Sequence, residues 1–468
     1  MADEFEKIAV VGVGSIFPDS QDSTDFWEHI VQGRDLLRDV PETHWLAGDY
    51  WDEDPALTDT TYSKRGAFLE EIDFEPMEWG IPPNTIEAID SAQLLTLLVA
   101  SRVVDQMEKT RGEAIDRERA SVILGVASGT EMLGQMAGRL RYPHWQKGLR
   151  EAGLPEDQVE EAIERIFDQF VGLQENTFPG LLGNVVAGRV ANRLDLQGTN
   201  CTVDAACAST FAALEAAANK LRLGESDMVI TGGVDALNDV FMYVCFSLVG
   251  ALSGSESCRP FSASADGTMM GEGIGLFALK RLSDAEADGD EIYSVLRGIG
   301  SSSDGRAKSI YAPVAGGQAL ALKRAYESAG YGPETVGMVE AHGTATTAGD
   351  AAEFGGMRQV FEDSTLQEDD EEADEEQWCA LGSVKSQIGH TKSAAAAAGM
   401  FKAVMALHHR VLPPTLHVDE PNPELELDDS PFYLNTESRP WLNDGSHPRR
   451  ASVSSFGFGG TNRHAPFK

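Results

Sequence analysis

The chain has 468 residues and a net charge of −38, and 42% of its residues are apolar against 24% charged. The apolar share can build a substantial core and excludes wholesale disorder, while the length exceeds that of a typical single domain. The acidity argues against a nucleic-acid-binding surface, which needs clustered Lys and Arg to release counterions. No run of eighteen apolar residues exists, and residues 1–7 are acidic where a presequence is basic. We therefore expect a soluble cytoplasmic protein that does not bind a membrane.

Strand-like and helix-like stretches alternate along the chain, which is typical of an α/β protein with a largely parallel sheet. Residues 7–14 read as a strand that ends in a glycine turn, and residues 34–85 read as an irregular excursion. Helices are predicted around 86–110 and 151–172. Ten of the sixteen residues in 362–377 are acidic, which predicts a solvated insert with no function that the sequence reveals.

The cysteines are few and irregularly spaced, and none forms a CxxC pair; they are Cys201, Cys207, Cys245, Cys258 and Cys379. This spacing excludes a disulfide framework and a CxxC zinc site, so we expect reduced thiols.

Cys207 lies in a turn between a strand and an alanine-rich helix. Residues 202–204 lead into the turn, and the helix runs from Ala208 to Leu221. A cysteine at the first turn of a helix lies in the positive end of the helix dipole, which favours the thiolate and makes a usable nucleophile. Taken alone, a cysteine among small residues is more often a small buried hydrophobe, and Cys245 fits that description better.

Two histidines stand near strand ends in the second half of the chain. Residues 336–342 read as a strand that ends at His342, and residues 380–385 as another that ends before His390. Ligands of open α/β sheets gather at the carboxyl ends of strands, where Cys207 also falls. Each histidine alone could be a core residue. Together, a cysteine and two histidines can hold an acyl thioester and stabilise an enolate oxygen, and chance produces the set far less often than any single member.

These residues belong to motifs that resemble those of the β-ketoacyl synthases, which have the thiolase-like fold. The motifs span nearly the whole chain in the family's order: VDAACAS at 203–209, EAHGT at 340–344, KSQIGH at 385–390 and SFGFGGTN at 455–462. The resemblance implies an α/β thiolase-like fold with two βα-rich halves in a layered αβαβα arrangement. Residues 1–285 would carry Cys207 and the excursion at 34–85, and residues 286–468 would carry both histidines and the acidic insert at 362–377.

The resemblance also implies roles for the site residues. Cys207 would take the acyl chain from the phosphopantetheine arm of an acyl carrier protein. His342 and His390 would bind the malonyl thioester carbonyl during decarboxylation and stabilise the enolate, which then attacks the acyl thioester. Lys385 would orient the active-site network, with Glu353 as its charged companion.

The remaining roles concern substrate contacts. Backbone N–H groups of Cys207 and Phe458 would form the oxyanion hole, and Phe458 would also gate the acyl pocket. Thr344 and Thr346 match positions that touch the pantetheine arm. No bound cofactor or metal is expected, since the substrates are carried on acyl carrier protein. Ala345 stands where the family commonly has glycine.

Three further motifs are similar to those of the ketosynthases of polyunsaturated fatty acid synthases and type I polyketide synthases: TYSKRGAFL at 61–69, SDGRAKSIYAP at 303–313 and PFYLNT at 431–436. This similarity implies the N-terminal ketosynthase domain of a large multidomain synthase, working beside acyltransferase and acyl carrier domains, and a homodimer. Relatives continue beyond the position of residue 468, so we expect an excised or truncated domain.

Two other functions fit part of the pattern. A chain-length-factor-like partner subunit has the same fold but lacks the nucleophile, whereas this chain retains Cys207 and both histidines. A thiolase acting on coenzyme A esters usually has a second cysteine near the C-terminus, whereas the last cysteine here, Cys379, precedes Lys385. The sequence therefore predicts an acyltransferase of the β-ketoacyl-[acyl carrier protein] synthase type, acting in fatty acid or polyketide synthesis, with the chain-length-factor-like partner as the alternative.

Overall fold

A computed structural model describes most of the chain, namely residues 6–127, 130–306, 309–365 and 377–468. Most of the acidic insert predicted at 362–377 lies outside these residues. Residues 307–308 of the SDGRAKSIYAP motif also lie outside them. Within the described ranges, no helix combines the length and the apolar character needed to cross a bilayer.

The strands of the described residues are, in chain order, β1 Ile8–Ile16, β2 Arg38–Asp39, β3 Arg65–Ala67, β4 Ala120–Val126, β5 Asn200–Val203, β6 Met228–Asp235, β7 Met270–Gly271, β8 Gly273–Arg281, β9 Ser294–Leu296, β10 Gly300–Ser303, β11 Met338–Glu340, β12 Cys379–Gly382, β13 Val411–Leu412, β14 Phe432–Leu434, β15 Arg439–Pro440, β16 Ala451–Gly457 and β17 Thr461–Phe467.

The α-helices are α1 Ser23–Gln32, α2 Ala47–Tyr50, α3 Ser91–Arg111, α4 Thr130–Leu140, α5 Tyr142–Glu151, α6 Glu156–Phe167, α7 Thr177–Leu181, α8 Asn184–Arg193, α9 Ser209–Arg222, α10 Val240–Leu248, α11 Leu282–Asp288, α12 Ala315–Ala329, α13 Thr347–Thr365, α14 Lys385–Ile388 and α15 Ala395–His409. Short 3-10 helices lie at Pro76–Trp79, Pro83–Ala88, Ala206–Ala208, Pro333–Thr335, Lys392–Ala394, Pro423–Leu425 and Leu427–Asp429.

Twelve of the described strands form one sheet, in the order β14-β12-β11-β16-β17-β9-β1-β8-β6-β4-β5, with β10 paired to β17. Near one end of this order β4 runs parallel to β5 and β6, and near the other end β11 and β12 run parallel to each other. The short strand β9 joins the two groups, because Leu296 pairs with Ile8 of β1 and with Phe467 of β17.

Helices pack on both faces of these strand groups and between them. The helix α3 packs on β1 and β8, α12 packs on β10 and β17, and the alanine-rich helices α9 and α15 contact each other and strands of both groups. Small side chains such as Ala213 and Ala397 are fully buried there, and they let the two helices approach closely. The layered arrangement of helices and strands predicted from the sequence is therefore present.

The excursion predicted at 34–85 contains little regular structure: β2, β3, α2 and single 3-10 turns. The helix predicted around 86–110 begins later, at Ser91, because Asp90 caps it by accepting the N–H of Ala92 at 3.0 Å. It ends at Arg111, before Gly112 in the left-handed conformation. The second predicted helix is shorter than the pattern indicates and corresponds to α6.

Candidate active site

Cys207 lies in the one-turn 3-10 helix between β5 and α9. Ala206 has a φ of 50°, which is strained for a residue with a Cβ. Two hydrogen bonds hold this turn: the Ala206 N–H donates to Asp204 at 2.9 Å, and the Ser455 hydroxyl donates to the carbonyl oxygen of Cys207 at 2.8 Å. The strained turn places the Cys207 side chain on the wall of a cavity.

The structure brings His342 and His390 together with Cys207. The sulfur of Cys207 and one ring nitrogen of each histidine all lie within 4.8 Å of one another. The two imidazole rings are almost perpendicular, with centroids 5.3 Å apart. His342 follows β11, and His390 follows β12 and α14, so both come from the carboxyl ends of neighbouring parallel strands. The three residues that the sequence predicts to be catalytic therefore lie together in the structure.

The protonation state of Cys207 differs from the prediction. Burial raises the pKa of its thiol above the ordinary value. The backbone N–H groups of Phe458 and Cys207 and the charges of Lys385 and Lys392 oppose this rise without cancelling it. The expectation that the helix end favours a resting thiolate is therefore wrong, because desolvation outweighs it. Both N–H groups interact with the sulfur, and their role as an oxyanion hole stays a prediction.

Both histidines are neutral at physiological pH. Burial lowers the pKa of each ring well below the ordinary range, and the nearby charge of Lys385 lowers it further. The backbone N–H of Lys392 donates to Nδ1 of His390 at 2.9 Å, so the proton of that neutral ring lies on Nε2. Nδ1 of His342 is buried and finds no hydrogen-bond partner within the described chain. Each ring therefore has hydrogen-bonding capacity left for a substrate.

Lys385 lies beside the cluster and is 3% exposed. Burial lowers the pKa of its ammonium group, against the opposing charges of Glu340 and Glu353. Glu353, predicted to be the charged companion of Lys385, lies close enough for the two charges to shift each other's pKa, although the described residues form no ion pair between them. The two carboxylate oxygens of Glu353 instead accept the backbone N–H groups of His342 and Gly343, each at 2.7 Å. Burial raises the pKa of Glu353 to about 7, so its charge is partial near neutrality.

Cys207, His342 and His390 are also ligand types that zinc accepts. The buried ammonium group of Lys385 lies close enough to lower the pKa of both rings, and such a charge also opposes a divalent cation. The electrostatics of the cluster thus fit a developing anion better than a metal ion.

A cavity of about 720 Å³ opens onto the cluster. Thr344 and Thr346 line one part of it, with their hydroxyl oxygens 2.9 Å apart. Met242 and Cys245 line an apolar part, so Cys245 is a cavity residue and is only half-buried. The volume lies in the range of small-molecule sites, and the lining includes both hydroxyl groups and apolar side chains.

Phe458 also lines the cavity, yet its side chain is 56% exposed. Its ring stacks on Tyr311 with centroids 5.7 Å apart. The next two residues, Gly459 and Gly460, have φ values of 103° and 79°, which glycine adopts with little strain. An exposed ring on a glycine turn is compatible with the predicted gating role, which stays a prediction.

Lys392 and Asp235 also line the cavity, although no sequence motif points to either residue. Their buried side chains form an ion pair at 2.8 Å between Nζ and Oδ1. Only weak sequence features could have indicated these two residues: Lys392 stands two residues after His390, and Asp235 ends the buried strand β6. Sequence spacing alone does not indicate that two such distant residues pair.

Comparison with known proteins gives the family. The model for the N-terminal domain of beta-ketoacyl synthase matches residues 5–285, and the model for its C-terminal domain matches residues 293–419. One subunit of the polyunsaturated fatty acid synthase from a Thraustochytrium species is 40% identical over 98% of this chain and 16% of its own length. Polyketide synthase GfsB from Streptomyces halstedii is 36% identical over 98% of this chain and 8% of its own.

The fold agrees with that of a solved relative. The oxazolomycin ketosynthase domain of Streptomyces albus JA3453 superposes with a TM-score of 0.84 at 31% identity, covering 99% of this chain and 74% of that chain. This chain spans no more than 16% of the length of the two curated relatives above, which are large synthases. These similarities favour a condensing ketosynthase over the chain-length-factor-like alternative. The chain belongs to the β-ketoacyl synthase family and is a ketosynthase domain with the thiolase-like fold.

Proposed function

We propose that this domain condenses an acyl chain held on Cys207 with a malonyl thioester carried by an acyl carrier protein, with loss of carbon dioxide, in the synthesis of a polyunsaturated fatty acid or polyketide. The observation that carries the proposal is the cluster itself. One thiol and two neutral imidazoles converge within 4.8 Å on the wall of a large cavity. That set supplies a nucleophile and two hydrogen-bond donors at one point.

The first half-reaction loads the enzyme. The Cys207 sulfur attacks the carbonyl carbon of the incoming acyl thioester, and the new carbon–sulfur bond replaces the bond to the pantetheine sulfur. The thiol proton ends on the released pantetheine. The N–H groups of Cys207 and Phe458, which interact with the sulfur in the resting state, would stabilise the tetrahedral oxyanion.

The second half-reaction forms the new carbon–carbon bond. The bond between the malonyl carboxylate and its α-carbon breaks, carbon dioxide leaves, and the electron pair forms an enolate. His342 and His390 would donate hydrogen bonds to the enolate oxygen as charge develops there. The enolate carbon then attacks the acyl carbonyl, the bond to Cys207 breaks, and the sulfur recovers a proton.

The remaining site residues would support these steps. Lys385 lowers the pKa of both imidazoles and so keeps them neutral donors. Glu353 would hold the backbone of His342 and Gly343 in place through its two hydrogen bonds. Thr344 and Thr346 would contact the pantetheine arm with their hydroxyl groups.

The proposed partners are acyl carrier domains and a neighbouring acyltransferase domain of a multidomain synthase; the names of the large relatives support this.

A homodimer is supported by β5, which pairs only with β4 among the described strands and so leaves a sheet edge open. A cytoplasmic location is supported by the five free cysteines. The division between residues 285 and 286 is supported by family matches that end at 285 and resume at 293.

Intact-protein mass spectrometry after incubation with acyl-pantetheine thioesters of several chain lengths tests the proposal. We expect an acyl adduct on the wild type that malonyl-pantetheine discharges as a β-ketoacyl product. Cys207→Ala should take no adduct. Cys245→Ala is the matched control, because Cys245 lines the same cavity and should leave loading intact.

Two outcomes would contradict the proposal. Absence of an adduct on the folded wild type at every chain length would favour the non-condensing partner subunit. An adduct that persists in Cys207→Ala and disappears in Cys245→Ala would show that Cys245, and not Cys207, is the nucleophile.

A further inference from the structure

We propose that the buried ion pair between Asp235 and Lys392 positions His390 for the decarboxylation half-reaction, by pinning the strained turn whose backbone N–H holds the His390 ring. Both are positioning residues that act through His390. The inference rests on the function proposed above. It goes beyond that function because it gives Asp235 and Lys392 a role in decarboxylation, although neither side chain takes part in making or breaking a bond.

The ion pair is buried at the cavity wall, and its ammonium group is fully hydrogen-bonded. The side chains of Lys392 and Asp235 are 9% and 8% exposed. Besides Asp235, the Lys392 ammonium donates to the side-chain oxygen of Asn238 and, at 3.0 Å, to the carbonyl oxygen of Gly271. Its three protons therefore all have acceptors, and the lysine side chain is anchored in one place.

The backbone of Lys392 is strained at the same point. Its φ is 45°, a left-handed conformation that a residue with a Cβ adopts only when its surroundings enforce it. The N–H of this strained residue is the group that donates to Nδ1 of His390. The anchored side chain thus holds a backbone conformation on which the tautomer and orientation of the His390 ring depend.

Asp235 makes a second link to the same turn. The hydroxyl of Ser393 donates to Asp235 at 3.1 Å and to the carbonyl oxygen of Val234 at 2.6 Å. The carbonyl oxygen of Ser393 in turn accepts the hydroxyl of Thr210, in the first turn of α9. The end of β6 is therefore tied to the residues that follow His390 by two side chains, those of Lys392 and Ser393.

Loss of this anchor should affect the two half-reactions unequally. Without it, Lys392 can relax out of the left-handed conformation, and Nδ1 of His390 loses its donor, so the Nε2 proton is no longer directed at the enolate oxygen. Loading of Cys207 relies on the N–H groups of Cys207 and Phe458, which the pair does not contact. The charge of Lys392 also lowers the pKa of the Cys207 thiol, so its effect on loading has to be held constant in the test. We therefore expect decarboxylation to fall while acyl transfer persists.

The test compares two double variants in which the pair carries no charge, so that no buried charge is left alone. Asp235→Asn/Lys392→Ala keeps a Cβ on the strained residue and removes its anchor. Asp235→Asn/Lys392→Gly removes the same anchor, yet glycine adopts this φ freely and keeps the N–H. Decarboxylation of malonyl-pantetheine and acylation of Cys207 by hexanoyl-pantetheine are measured separately for each.

We expect decarboxylation by the alanine variant to be at least tenfold slower than by the glycine variant, with acylation rates within about twofold of each other, because both variants lose the same lysine charge. Ser393→Ala is a milder variant, for use where the alanine double variant does not fold; it should lose several-fold in decarboxylation alone.

Three results would overturn the inference: equal loss in the alanine and glycine variants, parallel loss of both half-reactions in the folded alanine variant relative to the glycine variant or in Ser393→Ala relative to wild type, or no loss of decarboxylation in any variant. A folded wild type that performs neither half-reaction would refute the proposed function itself, which is a separate outcome.

Discussion

The hydroxyl of Ser455 donates to the carbonyl oxygen of Cys207 at 2.8 Å, although the two residues stand 248 positions apart. Ser455 belongs to β16, whose last residue, Gly457, also lies against the Cys207 turn. A Cβ at Gly457 would lie 2.4 Å from the carbonyl oxygen of Ala205. A strand from the C-terminal end of the chain therefore determines where the nucleophile turn can sit.

Gly457→Ala should accordingly displace the Cys207 turn. Because the new methyl group meets backbone rather than a movable side chain, we expect the rate of Cys207 acylation to fall at least tenfold. The rate is measured by intact mass against time with an acyl-pantetheine thioester. Gly316→Ala is the control, since a Cβ there meets no atom within 4 Å. Unchanged acylation in folded Gly457→Ala would show that the turn does not depend on this close approach.

Lys385→Met should make Cys207 harder to ionise. The lysine charge lowers the pKa of the thiol against the effect of burial, so its removal raises that pKa further. We expect the pH profile of Cys207 alkylation by iodoacetamide to move to higher pH, with a slower rate near pH 8. Lys323→Met, at an exposed surface lysine, should leave the profile in place. A shift to lower pH would contradict the assigned electrostatics.

Phe458→Ala tests whether the Phe458 ring controls access to Cys207, as the gating role predicts. Its ring lines the cavity and is held by stacking on Tyr311, while its backbone N–H survives the substitution. We expect alkylation of Cys207 to become several-fold faster and the acyl-enzyme to hydrolyse sooner, because water and reagent reach the sulfur more easily. Tyr311→Phe keeps the aromatic stack and should behave as wild type. A rate of alkylation that does not rise in Phe458→Ala would exclude the ring as a barrier.

Asp90→Asn should change how stability depends on pH. Burial and the neighbouring charge of Glu131 raise the pKa of Asp90 to about 6 in the folded chain, above the value of about 3.9 for an exposed aspartate. Between these values the folded state binds the extra proton, so the contribution of Asp90 to stability is present below pH 4 and is lost as the pH rises through 6.

Asparagine caps a helix as well as aspartate does, so this variant keeps the N-cap of α3 while removing the ionisation. Relative to wild type, we expect Asp90→Asn to gain on the order of 2 kcal/mol in the free energy of unfolding between pH 4 and pH 7.5. Urea unfolding at both pH values measures this. An identical pH dependence in the two proteins would mean that Asp90 titrates normally in the folded chain.

The sequence predicted these residues because Cys207, His342 and His390 fall in motifs that each follow a strand. The two histidines follow the neighbouring parallel strands β11 and β12, whereas Cys207 follows β5 at the other end of the sheet order and reaches them because its turn packs against the turn after His390.

The α/β class followed from the alternation of strands and helices, and the layered arrangement was implied by the family motifs. The expectation of a largely parallel sheet holds only for the outer strands, because the central strands β1 and β8 pair antiparallel with their neighbours. The motifs and the alternation are local in the sequence, so patterning and motifs are sufficient to find them.

Other properties depend on contacts between distant segments. The raised pKa of Cys207 results from burial by residues that no local pattern identifies, and desolvation reversed the effect expected from the helix end. The hydrogen bonds of Glu353 to backbone N–H groups, rather than a pairing with Lys385, reflect the path of the loop after β11. Ala345, which stands where the family commonly has glycine, is fully buried and has a φ of 60°. The sequence identifies this difference, but the backbone strain at the position is visible only in the structure.

The arrangement of the cluster has a consequence for how the protein is made. As the chain emerges during synthesis, Cys207 is present long before His342, His390 and β16. Until β16 is in place, nothing holds the carbonyl of the cysteine turn or supplies the Phe458 N–H. A domain that lacks β16 therefore has the thiol without the backbone and side-chain donors that surround it in the complete fold. The surroundings of Cys207 are thus complete only after β16 and the turn at Phe458 have been synthesised and have folded.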